Sequence, residues 1–96
     1  RQTFSAAVLL ATELDNLTNA VFVGEPTGGS PNLYADPSPL TLPNSGIVVN
    51  VSSEFFEAGG LSDPRDAIAP DIAVTVGLDE FLAGRDPVLD AALALA

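Results

Sequence analysis

Ser5 stands in the run Thr3-Phe4-Ser5-Ala6-Ala7, at the point where helical spacing of apolar residues begins. A serine there offers a hydroxyl nucleophile beside backbone N–H groups that the helix itself does not use. The N–H of Ala6 is the one that would meet negative charge developing next to the Ser5 hydroxyl. The chemistry this fits is acyl transfer, with Ser5 attacking a carbonyl and the oxyanion held by N–H groups. Such an attack requires a base, and the chain has none: it contains no His, no Lys and no Cys, and its basic residues are Arg1, Arg65 and Arg85. Arginine stays protonated, so any base must come from outside these 96 residues. The competing role for Ser5, or for Thr3, is a plain helix cap. Two features weaken that role. No Glu or Gln follows three residues on, where Ala6 and Val8 stand, so no reciprocal capping box forms. The helix's acids, Glu13 and Asp15, crowd its far end and leave the positive N-terminal end without an anion.

The elements that must carry Ser5 are legible in outline. Ala7, Leu10, Ala11, Leu14 and Leu17 recur at spacings of three and four, which predicts a buried helix from Ser5 to about Asn16. Ala20 to Val23 reads as a short buried strand. Residues 24–45 are punctuated by GEPTGG, SPN, DPSP and LPN, and read as a long structured loop. Gly46 to Ser52 is a β-branched strand that Glu54 to Glu57 either extends or pairs back on, and Ala58-Gly59-Gly60 turns the chain. After an irregular Asp- and Pro-rich stretch, Ile72 to Val76 predicts another strand and Leu78 to Ala83 a short helix. Asp86 followed by Pro87 announces a last helix, with an acceptor at the cap and proline at the first helical position. Three to four strands with these helices make an α/β domain.

Composition bounds the function. Thirteen acids against three arginines give a formal charge of −10, with nine of the acids in the second half, so nucleic acid is excluded as a partner: phosphate binding needs Lys and Arg. The longest apolar run, Ala6 to Ala11, is far short of the roughly 20 residues that span a bilayer. Nitrogen and sulfur ligands are missing and the acids are not clustered as in a calcium loop, so no metal or other cofactor is expected. The Gly-rich GEPTGG lacks the lysine and spacing of a phosphate loop, although Glu25 within it is placed to line a substrate cleft. The absence of any Met leads to the expectation that the chain is a piece of a longer polypeptide.

Five collinear segments carry a resemblance: Thr3-Phe4-Ser5-Ala6-Ala7, Gly24-Glu25-Pro26-Thr27-Gly28-Gly29, Leu42-Pro43-Asn44-Ser45-Gly46, Pro70-Asp71-Ile72 and Gly84-Arg85-Asp86-Pro87-Val88-Leu89. In this order they resemble the C-terminal half of the S41 peptidases, the tail-specific and C-terminal processing proteases with their tricorn-like and retinoid-binding-protein-like relatives. The resemblance implies a ClpP/crotonase-like α/β core, of which residues 1–96 form the C-terminal part. It makes Ser5 the nucleophile and Ala6 the donor of one oxyanion N–H, with a second donor from an earlier glycine. The lysine that follows the Gly-rich stretch in Ser-Lys members is Ser30 here, so a Lys dyad is ruled out and the tricorn-like arrangement is favoured. In that arrangement a His supplied from elsewhere is the base and an acid assists through a second serine. The acid's counterpart is Asp63, or Asp66 under a different alignment of the loop; the alternative is an exposed turn in which Asp63 pairs with Arg65. The implied partner is a peptide or protein substrate lying along a strand edge. The implied location is periplasmic or extracellular. A non-catalytic module of the same fold, binding peptides or small apolar ligands, is the rival reading. As a piece, the chain should leave an apolar face of its first helix and of Ala20 to Val23 uncovered, for the N-terminal part or another chain to bury.

Overall fold

The structure, a computed structural model, describes residues 3–95; Arg1, where the chain begins, lies outside the described residues. The helix expected after Ser5 is α1, Ala6–Leu17, and it ends where Thr18 turns extended with its N–H and its hydroxyl both donating to Leu14 O. Its buried stripe differs from the expected one. Val8, Ala11 and Thr12 face inward, Thr12 returning its hydroxyl to Val8 O at 2.8 Å, whereas Leu10, Leu14 and Leu17 are exposed. The leucines satisfy helical spacing, but the surface they face is empty within this chain, and burial follows the neighbours available rather than the periodicity. The expected uncovered face on α1 and at Val21 is therefore present.

The expected strand at 20–23 shortens to β1, Val23–Gly24, and pairs in parallel with β4, Ile72–Ala73, itself a remnant of the expected 72–76. Ile72 N–H donates to Phe22 O and Val74 N–H to Gly24 O, while Asp71 holds the strand entry by accepting from Phe22 N–H at 2.8 Å. With no third strand beside them among the described residues, the ladder cannot extend. Gly24 has φ +124°, where other residues are strained, and Val88 of the last helix packs over its Cα face. The short helix α2, Leu78–Leu82, and the last helix α3, Pro87–Leu93, follow as expected, the latter capped by Asp86, which accepts from Leu89 N–H at 2.9 Å.

The long loop expected at 24–45 is corrected. Asn32–Thr41 is a ten-residue strand, β2, paired antiparallel with β3, Val48–Glu57, which starts two residues inside the expected 46–52 strand and includes 54–57 as its extension. Pro37 and Pro39 gave β2 the look of a loop. Leu42 N–H donates to Ile47 O, and those residues lie opposite each other, so on the tip side of Asp36, where φ is 47° and the pairing skips a step, Leu40 and Ser38 point their N–H and C=O groups at β3. Pro37 and Pro39 alternate with them and point outward, where a missing N–H breaks no ladder bond.

The hairpin projects from the rest as an arm. On it Tyr34 packs against Phe55, with ring centroids 4.7 Å apart, and toward the tip Leu40 lies opposite Val49 and Leu42 opposite Ile47, all of them exposed, as is Val51. The molecule measures 57 × 36 × 18 Å with a radius of gyration of 17.5 Å, against about 13 Å for a compact domain of this length. The core is correspondingly small: Val8, Ala11 and Ile68, with Thr12, Thr27 and Pro31. The result is a small mixed α/β domain. No helix among the described residues is long and apolar enough to cross a membrane.

Candidate functional site

Ser5 enters α1 with φ 54° and ψ −126°, a left-handed conformation that a residue with a Cβ rarely adopts. It occupies the N-cap position of α1, but its side chain makes no cap bond to the helix. The turn that holds it is built by the Gly-rich segment. Gly28 N–H donates to Thr3 O at 2.7 Å, and Gly29 lies against Phe4 and Val8 so closely that a Cβ there would touch both. Thr27, buried, anchors the segment from below: its N–H donates to Ile68 O, its hydroxyl to Gly29 O, and it accepts from Ile68 N–H at 2.8 Å. The Thr-Gly-Gly of GEPTGG thus positions Ser5. Sequence patterns cannot show a positive φ at a serine, so this part of the site was invisible until folded.

Around Ser5 the backbone is open to a ligand. Ser5 O takes the N–H groups of Val8 and Leu9, and Ala7 N–H donates to Phe4 O, whereas Ala6 N–H donates to no acceptor among the described residues. Ser5, Phe4 and Gly29 form one wall of a cleft of about 300 Å³, and residues 33–37 of β2 form the other. Asp36, also at positive φ (47°), is the one charged residue of the lining, and sequence reading passed it over because it stood in an apparent loop. Glu25 and Thr3 line a second cleft of about 430 Å³ that Ser5 does not reach.

Asp63 is elsewhere. Arg65 grips it with Nε on both carboxylate oxygens at 3.0 Å and Nη2 on Oδ2 at 2.7 Å, and the Arg65 N–H adds a fourth bond to Oδ1. These hydrogen bonds, led by those of the side chain, hold the Asp63 carboxyl below its usual range, and they raise the Arg65 guanidinium further. Through Nη1 Arg65 also holds Asp15 at 2.7 Å. Asp15 is ten residues along α1 from Ser5, about 15 Å by helical rise. The structure therefore brings Ser5, Ala6 and Gly29 together and sets Asp63 at the other end of the helix, as a bridge between α1 and the 61–71 loop. Ser30, at the place of the family lysine, is a bracket in the same bridge: its hydroxyl donates to Arg65 O at 2.7 Å. Asp66 is exposed. No group of three or more candidate metal ligands occurs among the described residues. Compared with protein-family models, with curated proteins and with solved structures, the chain finds no match.

Proposed function

We propose that the chain is the C-terminal part of the catalytic domain of an S41-type serine peptidase with a ClpP/crotonase-like core, in which Ser5 attacks the scissile carbonyl. The observation that carries this reading is the backbone of Ser5. A serine held at φ 54° on the turn into a helix, its side chain making no cap bond, matches the way hydrolases present a nucleophile, and strain of this kind is kept where function needs it. Ala6 N–H supplies one oxyanion donor, and the base and a second donor come from residues outside these 96. A peptide substrate lies extended along β2 in the cleft between Ser5 and residues 33–37. The location in the family would be periplasmic or extracellular.

The absence of His and Lys, together with the mostly apolar cleft, favours a second reading, a non-catalytic module that binds peptides in the same cleft. Treatment of the longer polypeptide with a fluorophosphonate, followed by peptide mass mapping, separates the two. The peptidase reading expects an adduct on Ser5 that Ser5→Ala abolishes. A folded protein that binds peptides but forms no adduct overturns it in favour of the binding module.

A further inference from the structure

Among the described residues only two that carry a Cβ have positive φ, Ser5 and Asp36, and they stand on opposite walls of the same cleft. Backbone of this kind is costly and persists where a site requires it. Asp36 is set in place by the arm. The pairing of β2 with β3 runs through Ala35 and Glu54, skips Asp36 and Ser53, and resumes at Pro37 and Ser52. Across the gap the Ser53 hydroxyl donates to Asp36 O at 2.7 Å and stands 3.2 Å from the Ser38 hydroxyl, so side chains bridge what the backbone pairing leaves open. That bond occupies the Asp36 carbonyl and leaves its carboxylate free. The carboxylate accepts no hydrogen bond and meets no cation among the described residues. Arg65 is committed to Asp15 and Asp63, and Arg85 to Glu80.

We propose that Asp36 sets the specificity of this cleft, selecting a peptide that carries a cationic group beside an apolar side chain. The inference rests on the cleft taking a peptide, which the peptidase and the binding module share. Phe4, Leu33, Tyr34 and Pro37 offer the apolar side chain aromatic and aliphatic surface, and Asp36 is the one formal charge among them. At about 300 Å³ the cleft is at the lower end of the roughly 300–1,000 Å³ of ligand pockets, so it holds a short part of the peptide and one charge suffices to select it. The field of the whole chain acts in the same direction. A net charge of −10 draws cations in and repels anionic peptides, and Asp36 gives that attraction a place. A neutral peptide gains nothing from Asp36, and an acidic one brings a second carboxylate into the cleft, so repulsion sharpens the choice. The cation is a Lys or Arg side chain or a free α-amine, each a charged N–H donor to a carboxylate.

Binding is read by fluorescence anisotropy on the longer polypeptide carrying Ser5→Ala, so that a bound peptide is not consumed and the result does not depend on Ser5 as a nucleophile. The peptides, labelled at the C-terminus, share one Phe and differ at its neighbour, which is Arg, Gln or Glu, each with the α-amine free or acetylated. A peptide with the cation should bind up to about fivefold more tightly than its neutral counterpart, the scale of an exposed ion pair, and the Glu peptide should bind least. A preference for Arg that survives acetylation assigns the cation to the side chain; a loss on acetylation whatever the neighbour assigns it to the α-amine. Asp36→Asn removes the charge while Asn still tolerates positive φ, and it should erase the preference. Glu13→Gln, which removes an equal charge from outside the cleft, should keep it. Added salt should shrink the preference in the parent and leave Asp36→Asn unmoved. Peptides that bind equally with and without a cation, or a preference that survives Asp36→Asn, overturn Asp36 as the selecting residue and leave the cleft a peptide site. A folded protein that binds none of the peptides overturns both.

Discussion

At the residue scale, the structure changes what Ser5 is. Sequence leaves nucleophile and helix cap both open; in the fold Ser5 holds the N-cap position at φ 54° with no cap bond from its side chain. The strain is itself measurable. Ser5→Gly, which adopts positive φ freely, should stabilise the chain by about 1 kcal/mol in urea unfolding, whereas Ser5→Ala should not, because its Cβ retains the clash. Gly59 is the reverse case, a small residue that cannot grow. A Cβ there would collide with the Asp63 carboxylate and stand 2.8 Å from the Pro31 Cβ, so Gly59→Ala should destabilise by about 1–3 kcal/mol, read as a fall in the thermal midpoint.

Among the elements, the ends are better specified than the middles. Asp86 and Pro87 fix the start of α3 from sequence alone, and Asp86→Ala should cost about 1 kcal/mol in the same unfolding assay. The attachment of α1 to the 61–71 loop rests on Arg65 between Asp15 and Asp63. Because the Asp63 pKa is lowered in the folded chain from 3.8, its contribution to stability is full above the unfolded pKa and fades as pH falls through the lower folded value. Arg65→Gln should thus lower the denaturation midpoint at pH 7, and the gap from the parent chain should close below about pH 4. A gap that is the same at pH 3 and pH 7 would mean that Arg65 acts through packing alone.

For the whole molecule, the accessible surface of 6902 Å² stands against about 5,200 Å² for a compact monomer of this mass, and large apolar side chains on α1, on the arm and on α2 contribute to the difference. Unfolding therefore exposes less new surface than usual. The urea m-value of the chain alone should lie below about 1 kcal/mol/M, and the folded chain should bind an apolar dye that a compact domain excludes. A steep transition with no dye binding would show that these faces are covered in solution.

The sequence by itself determined the coarse α/β class, the extent of α1 and the cap of α3, because these depend on local spacing and capping chemistry. It could not show β2, since prolines on an outward edge and prolines in a loop look alike until the partner strand fixes which way each N–H points. Nor could it show that Leu10, Leu14 and Leu17 face solvent while Val8, Ala11 and Thr12 do not. Tertiary structure decided those, and it parted Asp63 from Ser5. Burial, register and distance are properties of pairs of segments, and which segments meet is settled only when the chain folds.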